Sequence, residues 1–472
     1  MNKFKLFIDN FIIYGLGGII SKLIPLIMVP IVTRLMPDTT YFGISDLSNT
    51  AVLFGSALAV MGTYDAMYRL FFEEDEEEYK KNICSTALIF TLATSGCVFI
   101  MMLLAKELIA KYFFGDSNYA YLVYITAIAT LVGATNSIVS APTRMQNKRK
   151  VFLITNTLTP IISYSISITL LLRGYYVIAL PLAAVTTGIM MEIIFGVLNR
   201  KWFELKRFDF KLLKQLLFIA VPLLPNFLIY WVFNSSDKLM ITNILSVGDA
   251  GIYSVGSKLG HASQLIYMAF AGGWQYFAFS TMKEENQVKT NSIIFEYLGV
   301  ISFLAGIFMS AWSYLIFNTF FIGDYIQGYV VAPYLFLSPL LQMLFQVACN
   351  QFLIIKKTWP NMLILSGGAI INVIINLVLI PILGIEGAAI ATMIGYTASD
   401  VVGVIVLCKI DLMVVSKRFL FVTGVTVAYI IIWRVFFREN TVISTILAVV
   451  VTAFFMFLYK KDINSLLKGV KR

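Results

Sequence analysis

Long apolar stretches recur along the whole chain, and they restrict its fold more than any other feature. A membrane core about 30 Å thick is crossed by a helix of about 20 residues. Fourteen stretches reach that length, near residues 11–33, 44–70, 83–105, 120–142, 152–172, 175–198, 215–235, 249–280, 293–317, 330–355, 362–381, 386–408, 419–437 and 442–459. The pattern predicts an all-α integral membrane protein with about 14 transmembrane helices.

Composition agrees with a bilayer as the solvent for most of the chain. Hydrophobic residues make up 59% and charged residues 13% of the 472 residues, whereas soluble domains contain about 25% charged residues. This balance excludes a soluble enzyme, a disordered regulator and a secreted disulfide scaffold. The net charge of +10 does not require a nucleic-acid partner, because Lys and Arg collect in the cytoplasmic loops of membrane proteins.

The distribution of basic residues predicts the orientation of the chain. If the N-terminus is cytoplasmic, the inner loops and termini hold 27 of the 36 Lys and Arg residues, and the outer segments hold 7. Arg69 and Arg434 lie at the ends of their spans and are counted here with the adjoining segments, and the other two, Lys22 and Lys258, lie deeper inside predicted spans. This asymmetry follows the positive-inside rule and predicts that both termini are cytoplasmic.

Residue patterns repeat about 208 positions apart. Gly43-Ile44 and Gly251-Ile252 open two predicted spans at a separation of 208 residues, which predicts two homologous six-helix lobes. Because six is an even number, the lobes enter the membrane in the same direction, as parallel repeats, an arrangement typical of secondary transporters. The predicted lobes are residues 1–200 and 201–408, and residues 409–472 add two helices and a cytoplasmic tail.

Two lysines inside the spans are the first candidates for substrate binding. Lys22 is the twelfth of 23 residues in the first span, and Lys258 lies about ten residues into the eighth. A lysine at the membrane centre costs about 2.5–3.5 kcal/mol, so each should face a hydrated cavity or an acid. A buried ion pair with Asp400, Asp46 or Asp237 is the structural alternative.

Other ionisable residues in the spans complete the candidate set. His261 lies one turn from Lys258 on the same helix face, and it serves either as a ligand or as a hydrogen-bonded packing residue. Asp65 and Arg69 are spaced i,i+4 and are predicted to form a structural ion pair. The candidates for ion coupling, each of which could equally neutralise a cation, are Asp400, Glu192, Asp46 and Asp237.

Motifs for nucleotide hydrolysis and metal binding are absent from the sequence. It lacks the P-loop pattern G-x-x-x-x-G-K-[ST], and its single histidine excludes an H-E-x-x-H site. A membrane polymerase should present paired acids on a large outer loop, but the longest predicted outer loop has only Glu107 and Asp116. We therefore expect no enzymatic activity, no catalytic residue, no metal site and no cofactor.

Two regions resemble a known family. The stretch Gly62–Glu73, GTYDAMYRLFFE, is similar to the span-two signature of bacterial polysaccharide and oligosaccharide flippases. These belong to the multidrug/oligosaccharidyl-lipid/polysaccharide exporter superfamily. The segments Asp237–Ile241 and Val247–Leu259 resemble the opening of that family's second lobe. The resemblance extends over the whole chain, including the fourteen spans.

The resemblance implies a flippase of the bacterial cytoplasmic membrane that moves a polyprenyl-diphosphate-linked oligosaccharide to the outer leaflet by alternating access. Lys22 matches a cavity arginine of the related lipid II flippases, which implies a role in diphosphate binding, and Lys258, His261 and Asn49 join this set. Those relatives have further arginines in span two, where this chain has Asp46, Asn49 and Thr50. That difference argues against a peptidoglycan precursor. The implied partners are the lipid-linked glycan, membrane lipid, a polysaccharide polymerase and assembly proteins, without nucleic acid.

Two other functions stay open from the sequence. A cation-coupled multidrug exporter of the same superfamily would favour twelve spans and an acidic cavity over Lys22 and Lys258. A non-catalytic or polymerase component of a glycan-assembly complex would be favoured by paired acids on a large outer loop.

Overall fold

The computed structural model describes the backbone of residues 3–469, and the side chains of residues 18–464 except 205, 272, 275 and 276. Contacts between Cα atoms divide the chain into two compact units, Met1–Gly251 and Ile252–Arg472. The described secondary structure is helical in both units.

The first unit contains eleven α-helices among its described residues and the start of a twelfth. They are α1 (Lys3–Leu35), α2 (Thr39–Val60), α3 (Thr63–Phe71), α4 (Glu77–Leu104), α5 (Lys106–Phe113), α6 (Ala120–Met145), α7 (Arg149–Leu172), α8 (Ala179–Asn199), α9 (Phe210–Ala220), α10 (Leu224–Trp231), α11 (Asp237–Ile244) and α12 (Val247–Gly260). Helices α9 to α11 form one continuous segment, joined by a 3₁₀ turn at Val221–Leu223 and a π-helical turn at Val232–Ser236.

The second unit continues with eight further α-helices in the described part of the chain. They are α13 (Gln264–Ser280), α14 (Gln287–Phe320), α15 (Ala332–Ile354), α16 (Trp359–Leu383), α17 (Ile385–Lys409), α18 (Lys417–Ile432), α19 (Thr441–Leu458) and α20 (Lys460–Gly469). A π-helical turn at Trp433–Phe437 extends α18. Helix α15 is the most buried candidate span, because α14 and α17 both pack against it.

Thirteen helical segments of the described chain are long and apolar enough to cross a membrane. Each coincides with a span predicted from the sequence. The remaining predicted span, residues 249–280, consists of α12 and α13, which a 3₁₀ turn at His261–Ser263 joins. The all-α fold with membrane-spanning helices is therefore confirmed.

The second predicted span, residues 44–70, ends earlier than the sequence suggested. Helix α2 stops at Val60 because Met61 and Gly62 adopt positive φ angles of 49° and 77°. A Cβ atom on Gly62 would lie 2.8 Å from the Ala220 carbonyl oxygen, so glycine is required at this turn. The signature segment then forms the separate helix α3, whose apolar face packs against α4, α6 and α9.

The seventh predicted span, residues 215–235, extends further than predicted, to Ile244. The polar residues 235–238, which follow the predicted end of the span, stay helical, and the Ser236 hydroxyl donates to the Val232 carbonyl at 2.6 Å within the π-helical turn. Lys238, which the sequence assigned to an outer segment, therefore lies inside the spanning helix. Hydropathy alone missed this continuation because Asp237 and Lys238 lower the local average.

The boundary between the compact units differs from the boundary of the predicted repeat. Helices α9 and α11 pack against α3, α4 and α5, and these contacts assign them to the first unit. The repeat assigns the same residues to the second lobe, since it follows sequence similarity rather than contact. The organisation into residues 1–200, 201–408 and 409–472 stays a prediction.

Helices α2 and α12 approach most closely at two glycines that the repeat relates. A Cβ atom on Gly43 would overlap the Val247 carbonyl oxygen, and one on Gly251 would overlap the Thr39 carbonyl oxygen. The contact is reciprocal, because Thr39 and Val247 are also 208 residues apart. Only glycine lets the two backbones approach this closely.

Candidate functional site

Lys22 lies on α1, which with α7 is one of the two least buried candidate spans of the first unit. Its side chain is exposed, and its ammonium group has no hydrogen-bond or ion-pair partner among the described residues. Pro25 lies one turn further along the helix and has no N–H, so the Ser21 carbonyl loses its usual partner. The Ser21 hydroxyl donates to the Gly18 carbonyl at 2.8 Å. A cation and a carbonyl group that lacks its usual α-helical partner thus lie together on a largely apolar helix.

Asn49 lies on α2 and points away from the packed side of that helix. Its neighbours Ser48 and Thr50 are buried, and Asn49 itself is exposed. The Ser48 hydroxyl lies 2.8 Å from the Thr126 hydroxyl of α6, which fixes this face of α2 against the unit. The exposed amide can therefore donate and accept hydrogen bonds outside the packed helices.

Asp46 and Lys238 form a buried ion pair within the first unit. Lys238 Nζ lies 2.5 Å from Asp46 Oδ2, and the two side chains are 15% and 4% exposed. Asp237, the neighbour of Lys238 and another predicted coupling acid, is 2% exposed at the start of α11. The sequence had considered Asp46 as a partner for a central lysine, and Lys238 was not among the candidates.

Lys258 and His261 lie about one helical turn apart, on α12 and in the 3₁₀ turn that follows it. Both are half-buried. His261 Nδ1 lies 2.8 Å from the Ser257 carbonyl oxygen and 3.1 Å from the Ser257 hydroxyl. The carbonyl can only accept, so the hydrogen bond assigns a proton to Nδ1. This geometry fits the hydrogen-bonded packing role considered from the sequence.

The two remaining coupling candidates have different surroundings. Glu192 on α8 is half-buried, with the Thr135 hydroxyl of α6 beside its carboxyl group. Asp400 on α17 is buried, and neither of its carboxylate oxygens has a hydrogen-bond partner among the described residues. The alternative in which Asp400 neutralises a lysine is therefore not what this structure shows.

The predicted ion pair between Asp65 and Arg69 is not formed among the described side chains. Both residues lie on α3 and both are exposed. Asp65 lies in the first turn of the helix and Arg69 in its last turn, where each charge complements the helix dipole independently. Direct contact between two exposed charges stabilises a helix only slightly. The i,i+4 spacing of Asp65 and Arg69 was therefore insufficient to predict an ion pair.

A cluster around Arg418, which the sequence did not predict, joins α18 to α14 and α20. Arg418 Nε donates to Glu296 Oε1 at 3.0 Å, and Arg418 Nη1 lies 2.5 Å from Asp462 Oδ2. The Tyr459 hydroxyl also donates to Glu296 Oε1, at 2.7 Å, and its ring lies under the guanidinium group at 3.8 Å. We call these four residues the Arg418 cluster.

A second cluster lies near the other end of the same spanning helix. Arg434 Nε and Nη2 donate to the two oxygens of Glu386, at 2.7 and 3.3 Å, and the Tyr334 hydroxyl donates to Glu386 at 3.0 Å. These three residues are the Arg434 cluster. Nearby, Tyr329 donates to Glu439 at 2.7 Å, and burial together with this bond raises the pKa of the Tyr329 phenol.

Comparison with known proteins places these features in a wider group. A family described as "Polysaccharide biosynthesis protein" matches residues 7–282. No curated protein sequence matches the chain at comparable stringency.

Solved structures share the fold over most of the chain. The lipid II flippase MurJ in an inward closed conformation is 16% identical with a TM-score of 0.71, over 96% of this chain and 100% of that one. An inward-facing MATE multidrug resistance transporter of the MOP superfamily is 14% identical with a TM-score of 0.63, over 84% and 98%. An outward-facing MATE transporter is 16% identical with a TM-score of 0.58, over 86% and 95%. The shared fold is that of multi-pass membrane transporters.

Proposed function

The chain belongs to the polysaccharide biosynthesis protein family, and on that premise we propose that it is a flippase for a polyprenyl-diphosphate-linked oligosaccharide. It would move this lipid from the inner to the outer leaflet of the bacterial cytoplasmic membrane by alternating access. The transporter fold shared with MurJ and MATE proteins supports this class of activity. The basic loops support cytoplasmic termini, since 27 of the 36 Lys and Arg residues fall on one predicted side.

The observation that carries the proposal is the exposed, unpaired ammonium group of Lys22 in the described part of α1. A diphosphate cannot enter hydrocarbon alone, because transferring an isolated charge from water to an apolar medium costs tens of kcal/mol by solvation estimates, about 20 kcal/mol per small ion. A lysine in the middle of an apolar helix lowers that cost by pairing with the phosphate oxygens. The polyprenyl tail would remain in the surrounding lipid.

The other proposed binding residues supply a second cation and polar contacts. Lys258 is the cation that the second unit would provide for the phosphate groups, and the exposed amide of Asn49 would bind sugar hydroxyls. His261 would hold the local helix geometry through its bond to Ser257, and its second ring nitrogen could reach the glycan. Cytoplasmic assembly proteins and a polysaccharide polymerase would supply and consume the lipid-linked glycan.

The test is transport of a fluorescent polyprenyl-diphosphate-linked oligosaccharide by the full chain in proteoliposomes. A charge-assisted hydrogen bond contributes about 1.5–3 kcal/mol, and 1.4 kcal/mol is tenfold. We therefore expect Lys22→Ala to reduce flux about 10- to 100-fold, and Lys22→Arg to reduce it less because the charge remains. Lys206→Ala is the matched control, since Lys206 is exposed in the connection before α9.

Two results would contradict the proposal in different ways. Full glycan flux in the Lys22→Ala, Lys258→Ala double variant would remove the role of these cations. Flux of a cationic dye by the wild-type chain, without any glycan flux, would favour the multidrug exporter that the MATE likeness makes the second candidate.

A further inference from the structure

Asp400 differs from the other buried acids described in the second unit because no cation or hydrogen-bond donor of the described residues contacts its carboxyl group. The residue is 8% exposed, and both Oδ1 and Oδ2 lack a hydrogen-bond partner within the described residues. In contrast, Glu386 on the same helix accepts bonds from Arg434 and Tyr334, and Glu296 accepts from Arg418. An ionised carboxylate in such surroundings costs several kcal/mol.

The helices packed against Asp400 offer no cation to offset that cost. Helix α17 packs mainly on α15 and α16, and the only basic residue of these three helices is Lys409 at the end of α17. The titratable groups on α15 are Tyr334 and Cys349, and α16 has none. The remaining titratable groups on α17 are Glu386, Tyr396 and Cys408. Glu386 and Tyr334 belong to the Arg434 cluster, about 14 residues or roughly 21 Å along the helix from Asp400.

One close contact between α17 and α15 shows which residues of α15 lie beside Asp400. A Cβ atom on Gly403 would lie 2.9 Å from Cys349 Sγ, so Gly403 and Cys349 are level. Helices α15 and α17 run in the same direction, because α16 follows α15 in the chain, runs back in the opposite direction and is followed by α17. Asp400 lies three residues before Gly403, and Gln346 lies three residues before Cys349. Asp400 and Gln346 are therefore at the same level, about 4.5 Å nearer the N-terminal ends of both helices.

Several buried polar atoms near this level have no partner among the described residues, including one donor, Asn350 Nδ2, one turn of α15 beyond Gln346. Gln346 Oε1 is buried without a partner among the described residues, as are both oxygens of Asp400. Three acceptors thus lie at one level of the helix pair. A single proton on Asp400 converts one acceptor into an O–H donor that Gln346 Oε1 can accept. A sodium ion would need about six oxygen ligands, as hard cations generally do, and this level offers three.

We propose that Asp400 is a proton-binding site, that its carboxyl group is protonated in this conformation, and that its hydroxyl donates to Gln346. The balance is one carboxylate plus one proton giving one carboxylic acid. The proton leaves when the helix pair opens to water, which makes Asp400 the coupling residue of the transport cycle. That coupling role rests on the proposed function, whereas the protonation does not.

The test measures protonation directly by difference infrared spectroscopy of the full chain in lipid nanodiscs. A protonated carboxyl group has a C=O stretching band that a carboxylate lacks. We expect one such band in the wild-type chain, its loss in Asp400→Asn and a shifted frequency in Asp400→Glu. The matched control is Glu192→Gln, which should keep the Asp400 band because it removes another carboxyl group and leaves Asp400 unchanged.

Each alternative outcome identifies a different failure. Identical band sets in the wild type and Asp400→Asn would overturn the inference, and an unshifted band in Asp400→Glu would do the same if the asparagine variant does not assemble. Loss of the band on adding sodium at constant pH would replace the proton by sodium and so contradict it. A chain that shows the band but does not move the glycan would contradict only the proposed function.

The coupling role has its own readout in proteoliposomes. An imposed pH gradient should stimulate glycan flux in the wild type, and Asp400→Asn should abolish the stimulation while leaving gradient-independent exchange. Stimulation that survives in Asp400→Asn would remove Asp400 from coupling.

Discussion

Replacing Asp46 by asparagine should leave the Lys238 ammonium group uncompensated inside the spanning part of the first unit. The pair is short, 2.5 Å between Lys238 Nζ and Asp46 Oδ2, and the side chains are only 15% and 4% exposed. Loss of one partner from a buried pair costs about 3–5 kcal/mol. Because Lys238 keeps some contact with solvent, we expect the lower value, about 3 kcal/mol, for Asp46→Asn and for Lys238→Met alike.

The double variant distinguishes a direct interaction from two independent effects. Additive effects would lower the free energy of unfolding by about 6 kcal/mol, whereas coupled residues should lose about 3–4 kcal/mol together, a coupling energy of about 2–3 kcal/mol. The measurement is unfolding of the purified chain in mixed micelles by a denaturing detergent, followed by tryptophan fluorescence. The control is the pair Lys80–Asp75, separated by 3.3 Å with a fully exposed aspartate, where coupling should be much weaker.

A coupling energy below about 0.5 kcal/mol, the usual error of additivity, would refute the structural role of this pair. A transport assay of the double variant provides a second test of the role of Asp46. If Asp46 only balances Lys238, the folded double variant should move the glycan normally. Loss of gradient-driven flux in a double variant of adequate stability would instead assign Asp46 to ion coupling.

Two further predictions follow from the backbone and from the distribution of charge. Gly43→Ala should separate α2 from α12, because the new methyl group would overlap the Val247 carbonyl; a lower melting temperature is expected, and an unchanged one would contradict the close approach. In a cysteine-free background, Asn118→Cys should react with a membrane-impermeant thiol reagent added outside, and Lys357→Cys should react only after the membrane is permeabilised. Labelling of both from one side would contradict the fourteen-span topology.

The sequence predicted the helices well because hydropathy is averaged over many residues. It could not locate the end of α2, since the break depends on two positive φ angles at Met61 and Gly62. The same averaging ended the seventh span too early at Ser235. The ion pair between Asp46 and Lys238 offsets the cost of burying these two charged side chains. An average of single-residue hydropathies does not include such pairing.

The site residues were harder to assign because their partners are distant in the chain. Arg434 and Glu386 are separated by 48 positions, and Arg418 and Glu296 by 122, so helical spacing gave no signal. Placing both members of each pair at one predicted membrane depth would have suggested them. Conversely, the i,i+4 spacing of Asp65 and Arg69 suggested a contact that the described side chains do not make. The binding roles of Lys22, Lys258, His261 and Asn49 remain predictions.

The two arginine clusters restrict how helix α18 can move. Arg418 and Arg434 are 16 residues apart, about 24 Å along the helix, and each holds that helix to the core of the second unit through a carboxylate. Ion pairs near both ends of α18 oppose sliding of the helix along its axis and tilting about a single contact. We therefore expect α18 to move together with α14 and α17 in the proposed transport cycle, and a spectroscopic label on α18 should report the movement of all three helices.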